Sequence, residues 1–357
     1  MKIESLSTEQ RQAWQDRVLP PVQEVSEGVW AIPVPIPNNP LVYTYCYAIA
    51  EDRGVALIDP GWDGKEQLAA LSEGLAQAGF TLTDITGVAI SHYHRDHLGL
   101  VPALFAQNPD MWLALHSHDI ATLDTFRRRE KGAVTGAHGK ASIAEIYGVP
   151  EERHGEISHL EGRRRADAFK VPDWPQQIIV LGDHDELPIS GRTVHSMWTP
   201  GHTYGHSAFH DAGAGIFFSG DHVLPTITPN IGLDAPSITH SLADYLESLR
   251  RMSGLDEAVT VLPAHGFRFR GLQVRAEEIA LHHDERLAEI RVRWEENEDH
   301  SVYSIAQGLH WARGFEGLKN FNLFAALAET AAHMYYLGLP VGPDAAPEPD
   351  PEVGLHG

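Results

Sequence analysis

The stretch Ser91-His92-Tyr93-His94-Arg95-Asp96-His97-Leu98-Gly99 places four metal-ligand side chains within six residues. Imidazole nitrogen and carboxylate oxygen are the donors that zinc and its first-row neighbours take. His92 and His94 stand two apart, the spacing that sends both side chains of a strand end to one side. Asp96 and His97 follow where the chain turns into a helix. One ion cannot use all four in good geometry. The natural reading is two divalent ions side by side, one on His92 and His94 and the other on Asp96 and His97, with further ligands arriving from elsewhere.

Such a cluster has to be carried on rigid elements. The apolar run Gly87-Val88-Ala89-Ile90 reads as a buried strand that delivers it. Upstream, β-rich runs at 29–36 and 43–50 read as paired strands joined by Pro37-Asn38-Asn39-Pro40, and 55–59 as a short strand closed by Asp59-Pro60-Gly61. A helix over 65–79 follows from the spacing of Leu68, Leu71 and Leu75. Downstream come a helix from Leu98 to about Ala106 and a strand at 111–115. This alternation predicts helices packed outside sheets. Strands near 178–181, 193–198, 216–219 and 259–262 resume the pattern. Beyond Gly271 the chain reads as helices over 272–293, 302–312 and 321–337, and residues 5–18 as a polar helix opened by Ser5 or Ser7.

The H-x-H-x-D-H pattern resembles the signature of the metallo-β-lactamase superfamily. That family asks for an Asp after an earlier strand, then a His, an Asp and a His after later ones. Asp59, His202 in Thr199-Pro200-Gly201-His202, Asp221 in Phe218-Ser219-Gly220-Asp221, and His265 in Pro263-Ala264-His265-Gly266 match in that order. The resemblance implies an α/β fold, a four-layer αβ/βα sandwich, here with a helical insertion and a helical C-terminal extension. The domain reading is an N-terminal extension over 1–27, a catalytic domain over 28–270, a helical region over 271–339 and a flexible tail over 340–357. Residues 120–175 are the insertion, a lid or an oligomer contact. They hold ten basic and nine acidic residues, near neutral in a chain of formal charge −22, with Arg127-Arg128-Arg129 and Arg163-Arg164-Arg165 as basic clusters.

The resemblance also implies the ligand set: His92, His94, His202 and Asp221 on one ion, and Asp96, His97, Asp221 and His265 on the other. The ions are two divalent metals, zinc first, with iron or manganese as alternatives. Two positive centres lower the pKa of a water bridging them toward neutrality, giving a hydroxide that attacks a carbonyl. Asp96 and Asp221 are the catalytic carboxylates. Asp59 would orient the ligands. Trp62 would stand near the cleft mouth or pack, His206 would pack or meet substrate, and His222 would face the cleft. The reaction expected is hydrolysis of a thioester, lactone or ester, in the glyoxalase-II-like part of the superfamily. The alternatives are a metallo-nuclease or phosphodiesterase of the same fold and a mononuclear iron oxygenase.

Composition narrows the partners. An excess of acidic over basic residues, 49 against 27, disfavours a nucleic-acid backbone as partner. A small-molecule substrate is expected, with an anionic group if the basic clusters reach it, and a homo-oligomer is left open. The single Cys46 excludes an internal disulfide and reads as a core residue. The opening residues lack the apolar core of a signal peptide, and no later run is long and apolar enough to span a bilayer. The expectation is a cytoplasmic protein with no membrane contact.

Overall fold

A computed structural model describes residues 2–130, 142–157, 178–232, 240–312 and 314–342. The chain divides into two compact units. The first comprises Met1–Arg127, Phe169–Pro229 and Glu247–Glu278, and the second Arg128–Ala168, Asn230–Leu246 and Ile279–Gly357.

The first unit is built on two sheets. One orders seven strands as β2 (Gln23–Ser26), β3 (Val29–Pro35), β4 (Tyr43–Glu51), β5 (Gly54–Ile58), β6 (Ile85–Ala89), β7 (Trp112–His116) and β8 (Ile178–Leu181). β2 to β5 are antiparallel, and β5 to β8 run parallel. The other sheet orders β1 (Glu4–Ser5), β13 (Phe269–Arg270), β12 (Thr260–Pro263), β11 (Ile216–Gly220), β10 (Ser207–Asp211) and β9 (Val194–Trp198). The segment read as an N-terminal extension thus contributes an edge strand to each sheet. Between those strands lies α1 (Thr8–Asp16), with Ser7 as its cap.

Period-two alternation assigns the faces. Tyr43, Tyr45, Tyr47 and Ile49 meet Phe209, Ile216, Phe218 and Leu262 in the core between the sheets. Their neighbours Cys46 and Ala48, with Val55, Leu57, Val88 and Ile90, turn to the other face and pack on Leu71 and Leu75 of α2 (Lys65–Gln77). Cys46 is a free, fully buried core residue. The outward-facing Phe217 and Val261 of the second sheet are buried as well, which gives the layered arrangement of two sheets with helices outside them. The parallel strands β5, β6 and β7 all end at one edge, and β11 and β12 run parallel to each other.

Three helices depart from the sequence expectation. The single helix expected from Leu98 is two, α3 (Arg95–Leu98) and α4 (Val101–Phe105), so Asp96 and His97 lie on helical backbone. The break falls at Gly99, where a Cβ would stand 2.4 Å from the Asp63 nitrogen and 2.9 Å from the Gly61 oxygen, and the Leu100 N–H bonds Gly61 O instead of continuing the helix. The helix after Gly271, α8 (Leu272–Glu296), is longer than read. The next, α9 (Val302–Gly308), is shorter, because Leu309 is extended and the Trp311 indole caps Ala306 O. Of the 120–175 insertion, α5 (Ser117–Glu130) and α6 (Ile143–Ile146) are described. Arg163 to Arg165 and the tail from 343 lie outside the described residues, as do the Arg128 and Arg129 side chains. Among the described residues no helix is long and apolar enough to cross a membrane. Ser241–Arg251 forms α7.

The second unit gathers its core from α6, α8, α9 and α10 (Phe321–Tyr336), with Tyr147, Ile290, Val302, Ile305, Leu323, Phe324, Leu327 and Met334 buried together. Inside it the His333 Nδ1–H donates to Glu329 O at 2.7 Å, so His333 Nε2 accepts from His283 Nδ1 at 3.0 Å. Burial pushes both imidazoles down, His283 to about 2 and His333 to about 3. A depressed imidazole pKa leaves the folded pair neutral while the unfolded chain binds protons below about pH 6.5. Stability is therefore lost as pH falls from 6.5 toward the folded values. A His283→Gln/His333→Gln variant should lose about 3 kcal/mol less than wild type between pH 6.5 and about pH 5, read by urea unfolding.

Candidate metal centre

β6 ends at Ala89, and the chain continues through Ile90 and Ser91 into His92 and His94 before α3 takes Asp96 and His97. The loop between β9 and β10 carries His202. β11 ends at Gly220, so Asp221 leaves it at the same edge, and His265 follows β12. All seven side chains converge within the first unit. His94 Nδ1 lies 2.8 Å from His92 Nε2 and 3.1 Å from His202 Nε2. On the other side, His265 Nε2 is 3.5 Å from Asp96 Oδ2, and His97 Nε2 is 3.8 Å from the same oxygen. Asp221 stands between the two groups: Oδ2 is 3.6 Å from both His97 Nε2 and His202 Nε2, and Oδ1 is 3.2 Å from His265 Nε2. Three sets, His92–His94–His202, His92–His97–Asp221 and Asp96–His97–His265, have their ligand atoms within 4.8 Å of one another and could hold metal ions.

The hydrogen bonds around the cluster decide which ring atoms face it. Asp59 accepts the Ser91 N–H and hydroxyl, both at 2.7 Å, and its Oδ2 accepts His97 Nδ1–H at 2.8 Å. Tyr43 O accepts His265 Nδ1–H at 2.7 Å. Each ring thereby presents a bare Nε2 lone pair inward. Those two nitrogens and Asp221 Oδ1 are buried, and among the described residues they have no hydrogen-bond partner. Acceptors face acceptors at 3.2–3.8 Å, which only a proton or a cation between them makes favourable. The donor set of five imidazoles and two carboxylates fits borderline divalent metals. Burial opposes charge on His97, yet Asp59, Asp221 and Asp96 overcome it and hold its pKa well above the ordinary imidazole value. Burial opposes the Asp221 charge too, and His265 and His97 overcome that, holding the carboxyl well below its usual range. His92 is driven the other way, by burial and then by His97, His94 and His202, and stays neutral.

The remaining residues singled out from sequence take distinct places. Asp59 sits at the hub, in left-handed backbone (φ +52°), a strained conformation that clusters at functional sites. His206 is fully buried and braces Asp221: its Nε2 accepts the Asp221 N–H at 3.1 Å, and Nδ1 pairs with Thr199 Oγ1 at 2.7 Å. Gly220 makes this approach feasible, since a Cβ there would lie 2.7 Å from His206 Nε2. His222 is buried with its ring 5.8 Å from that of His206, and burial pushes it down to about 3. Trp62 is half-buried under the Arg95 guanidinium, 4.6 Å from the ring centre, while Arg95 is paired with Asp63.

Asp119, in the first turn of α5, escapes a reading of the sequence. It is 1% exposed and accepts three donors: Tyr93 N–H at 2.7 Å, Gly205 N–H at 3.0 Å and the Thr203 hydroxyl at 3.3 Å. It ties the His92–His94 segment to the His202 loop. An Asp opening a helix is so ordinary that only the position of two distant loops could single it out. Aromatic rings flank the same region. Tyr93 lies 5.0 Å from His94 and 5.7 Å from Phe126, while Trp198 stacks on His116 and His118, with Tyr204 across His118.

Two sheets flanked by helices, with clusters of His and Asp at their shared edge that could hold metal ions, are the make-up of the metallo-β-lactamase fold. The chain belongs to the metallo-beta-lactamase superfamily, whose family model matches residues 39–265. Among curated relatives it is similar to the probable metallo-hydrolase YqjP of Bacillus subtilis, 28% identical over 316 residues that cover 87% of this chain and 92% of that one. It is also similar to an atrochrysone carboxyl ACP thioesterase of Aspergillus fumigatus, 25% identical, covering 66% of this chain and 40% of that one. Among solved structures it resembles the metallo-beta-lactamase family protein TTHA1429 of Thermus thermophilus, with a TM-score of 0.70 and 28% identity over 88% of this chain and 94% of that chain.

Removing Asp119 would take away the carboxylate that the Tyr93 and Gly205 N–H groups share. Asp119→Ala should lower the unfolding free energy by about 3 kcal/mol and reduce bound metal as the loops part. Unchanged thermal unfolding and metal content would show that the loops hold their places without it.

Proposed function

We propose that this chain is a binuclear metal-dependent hydrolase of carbonyl substrates, with thioesters and lactones ahead of simple esters. The observation that carries the reading is the Asp221 carboxylate held between two groups of inward-facing imidazoles. His92, His94 and His202 with Asp221 would hold one divalent ion, and Asp96, His97 and His265 with Asp221 the other. Zinc suits this donor set best, with iron or manganese as alternatives. Bound there, the ions supply a water acidic enough to react near neutral pH and positive charge for the oxyanion that forms.

The chain's own residues prepare the site for this chemistry. Asp59 and Tyr43 O fix the His97 and His265 tautomers, and His206 holds the Asp221 backbone in place. Asp119 keeps the two ligand-bearing loops in register. Asp96, with 16% of its side chain exposed against 10% for Asp221, is the carboxylate better placed to pass a proton outward. The aromatic surfaces beside His94 and His202 suit an organic acyl group. They and the net charge of −22 disfavour a polyanionic substrate. The relative described as a thioesterase supports the thioester choice, and two complete half-sites favour hydrolysis over a one-ion oxygenase.

The deciding experiment is a panel of acyl thioesters, lactones, penicillins and phosphodiesters offered to metal-replete protein. Turnover of a thioester or lactone is expected, whereas turnover confined to phosphodiesters would move the assignment to a metallo-phosphodiesterase. Elemental analysis should find about two ions per chain. A single iron together with oxygen consumption would indicate an oxygenase instead. Asp221→Ala should lose both metal and turnover, and retention of both would remove that carboxylate from the site.

A further inference from the structure

Of the four side chains assigned to the second ion, hydrogen bonds fix His97, His265 and Asp221: Asp59 holds the first, Tyr43 O the second, and His206 pins the backbone of the third. Asp96 is different. Among the described residues no hydrogen bond reaches its carboxylate, whose near neighbours are the imidazoles of His265 at 3.5 Å and His97 at 3.8 Å. Its direction is therefore set by where its backbone stands. That backbone is α3, a helix of four residues, too short to hold its place without outside contacts.

The turn after Asp59 supplies those contacts. The Gly61 N–H donates to His97 O at 3.4 Å, and Gly61 O accepts the Leu100 N–H at 3.0 Å. Gly99 lies so close to the Asp63 nitrogen that a Cβ there would collide with it. At the start of α3, next to Asp96, the Arg95 guanidinium grips the Asp63 carboxylate at two points, Nε donating to Oδ1 and Nη2 to Oδ2 at 2.9 Å. The guanidinium also lies over the Trp62 ring, 4.6 Å from its centre. A two-point Arg–carboxylate pair fixes orientation as well as distance, and a cation over an indole face adds a further constraint. The Arg95 and Asp63 side chains are each 37% exposed, so the pair adds little to the stability of the fold. What it constrains is the turn of helix on which Asp96 rides. The His94 and His202 segments are tied elsewhere, through Asp119.

We propose, on the two-ion reading above, that Asp63 and Arg95, backed by Trp62, are positioning residues: they set Asp96 and through it the affinity of the ion held with His97 and His265. The ion on His92, His94 and His202 does not depend on them. The two affinities are thus set by separate ties outside the ligand set, Asp63–Arg95 for one ion and Asp119 for the other.

In the test, zinc-loaded protein is equilibrated with chelators of graded strength, and the zinc it retains is counted by elemental analysis. Wild type should hold about two ions per chain. Asp63→Asn and Arg95→Gln should each keep one ion as tightly as wild type and bind the other roughly tenfold to a hundredfold more weakly. Arg95→Lys, which keeps the charge but not the fork, should fall between. Because either substitution breaks the same pair, the double variant should lose no more affinity than a single one. The ion retained should be the one on the three imidazoles, so adding His202→Asn to Asp63→Asn should loosen it, whereas adding His265→Asn should not. Urea unfolding of the metal-free variants should match wild type, as it would not if the pair only held the fold together. Variants that hold both ions like wild type, or that lose both ions and stability together, would overturn the proposal. A wild type that holds a single ion would overturn the two-ion reading and the proposal with it.

Discussion

The Asp221 carboxylate is set among imidazole nitrogens that face it favourably only with a proton or a cation between them. His97 and His265 have each committed their one N–H, to Asp59 and to Tyr43 O, and what remains on both rings is an acceptor aimed at another acceptor. Buried polar atoms in this relation cost several kcal/mol unless positive charge lies between them. The surrounding contacts remove the easy ways of relieving that cost. Asp59 and the Tyr43 carbonyl hold the two rings from turning, and His206 pins the Asp221 backbone from behind. The electrostatic demand of the site is therefore a property of its hydrogen bonds and not only of which residues are near.

The scaffold places these groups by joining strand ends from both sheets. Tyr43 and Tyr47 reach across the core to the loop after β12 and to the end of β12 itself, their hydroxyls donating to Gly266 O at 2.8 Å and Pro263 O at 2.7 Å, and Tyr45 N–H bonds Ala264 O at 2.8 Å. One strand of the first sheet thus grips the segment that delivers His265 from the second. Asp119 does the corresponding work between the His94 segment and the His202 loop. Rigid sheets with short polar cross-ties hold ligands more closely than long loops could.

Charge and surface chemistry then act on what enters. A strongly acidic chain repels polyanions, while the rings of Tyr93, Phe126, Trp198 and Tyr204 offer apolar surface beside the ligands. In the second unit, burial holds the His283 and His333 imidazoles neutral, a feature separate from the metal centre.

The seven candidate ligands were legible because their chemistry is local. His92, His94, Asp96 and His97 crowd into six residues, and His202, Asp221 and His265 each follow an apolar strand in an order that the family resemblance anticipates. The strands were legible for the same reason, since alternation such as Tyr43, Tyr45, Tyr47 against Cys46 and Ala48 is a short-range pattern. The break at Gly99 was not, because it depends on the backbone of Gly61 and Asp63 pressing against it. Nor were the tautomers of His97 and His265, which depend on partners 38 and 222 positions away. Asp119 belongs with these. By itself the sequence determined which donors are present and on which elements they ride. Only the tertiary structure decided which atoms face one another, because hydrogen bonding and close contact act through space, between residues whose separation along the chain carries no record of it.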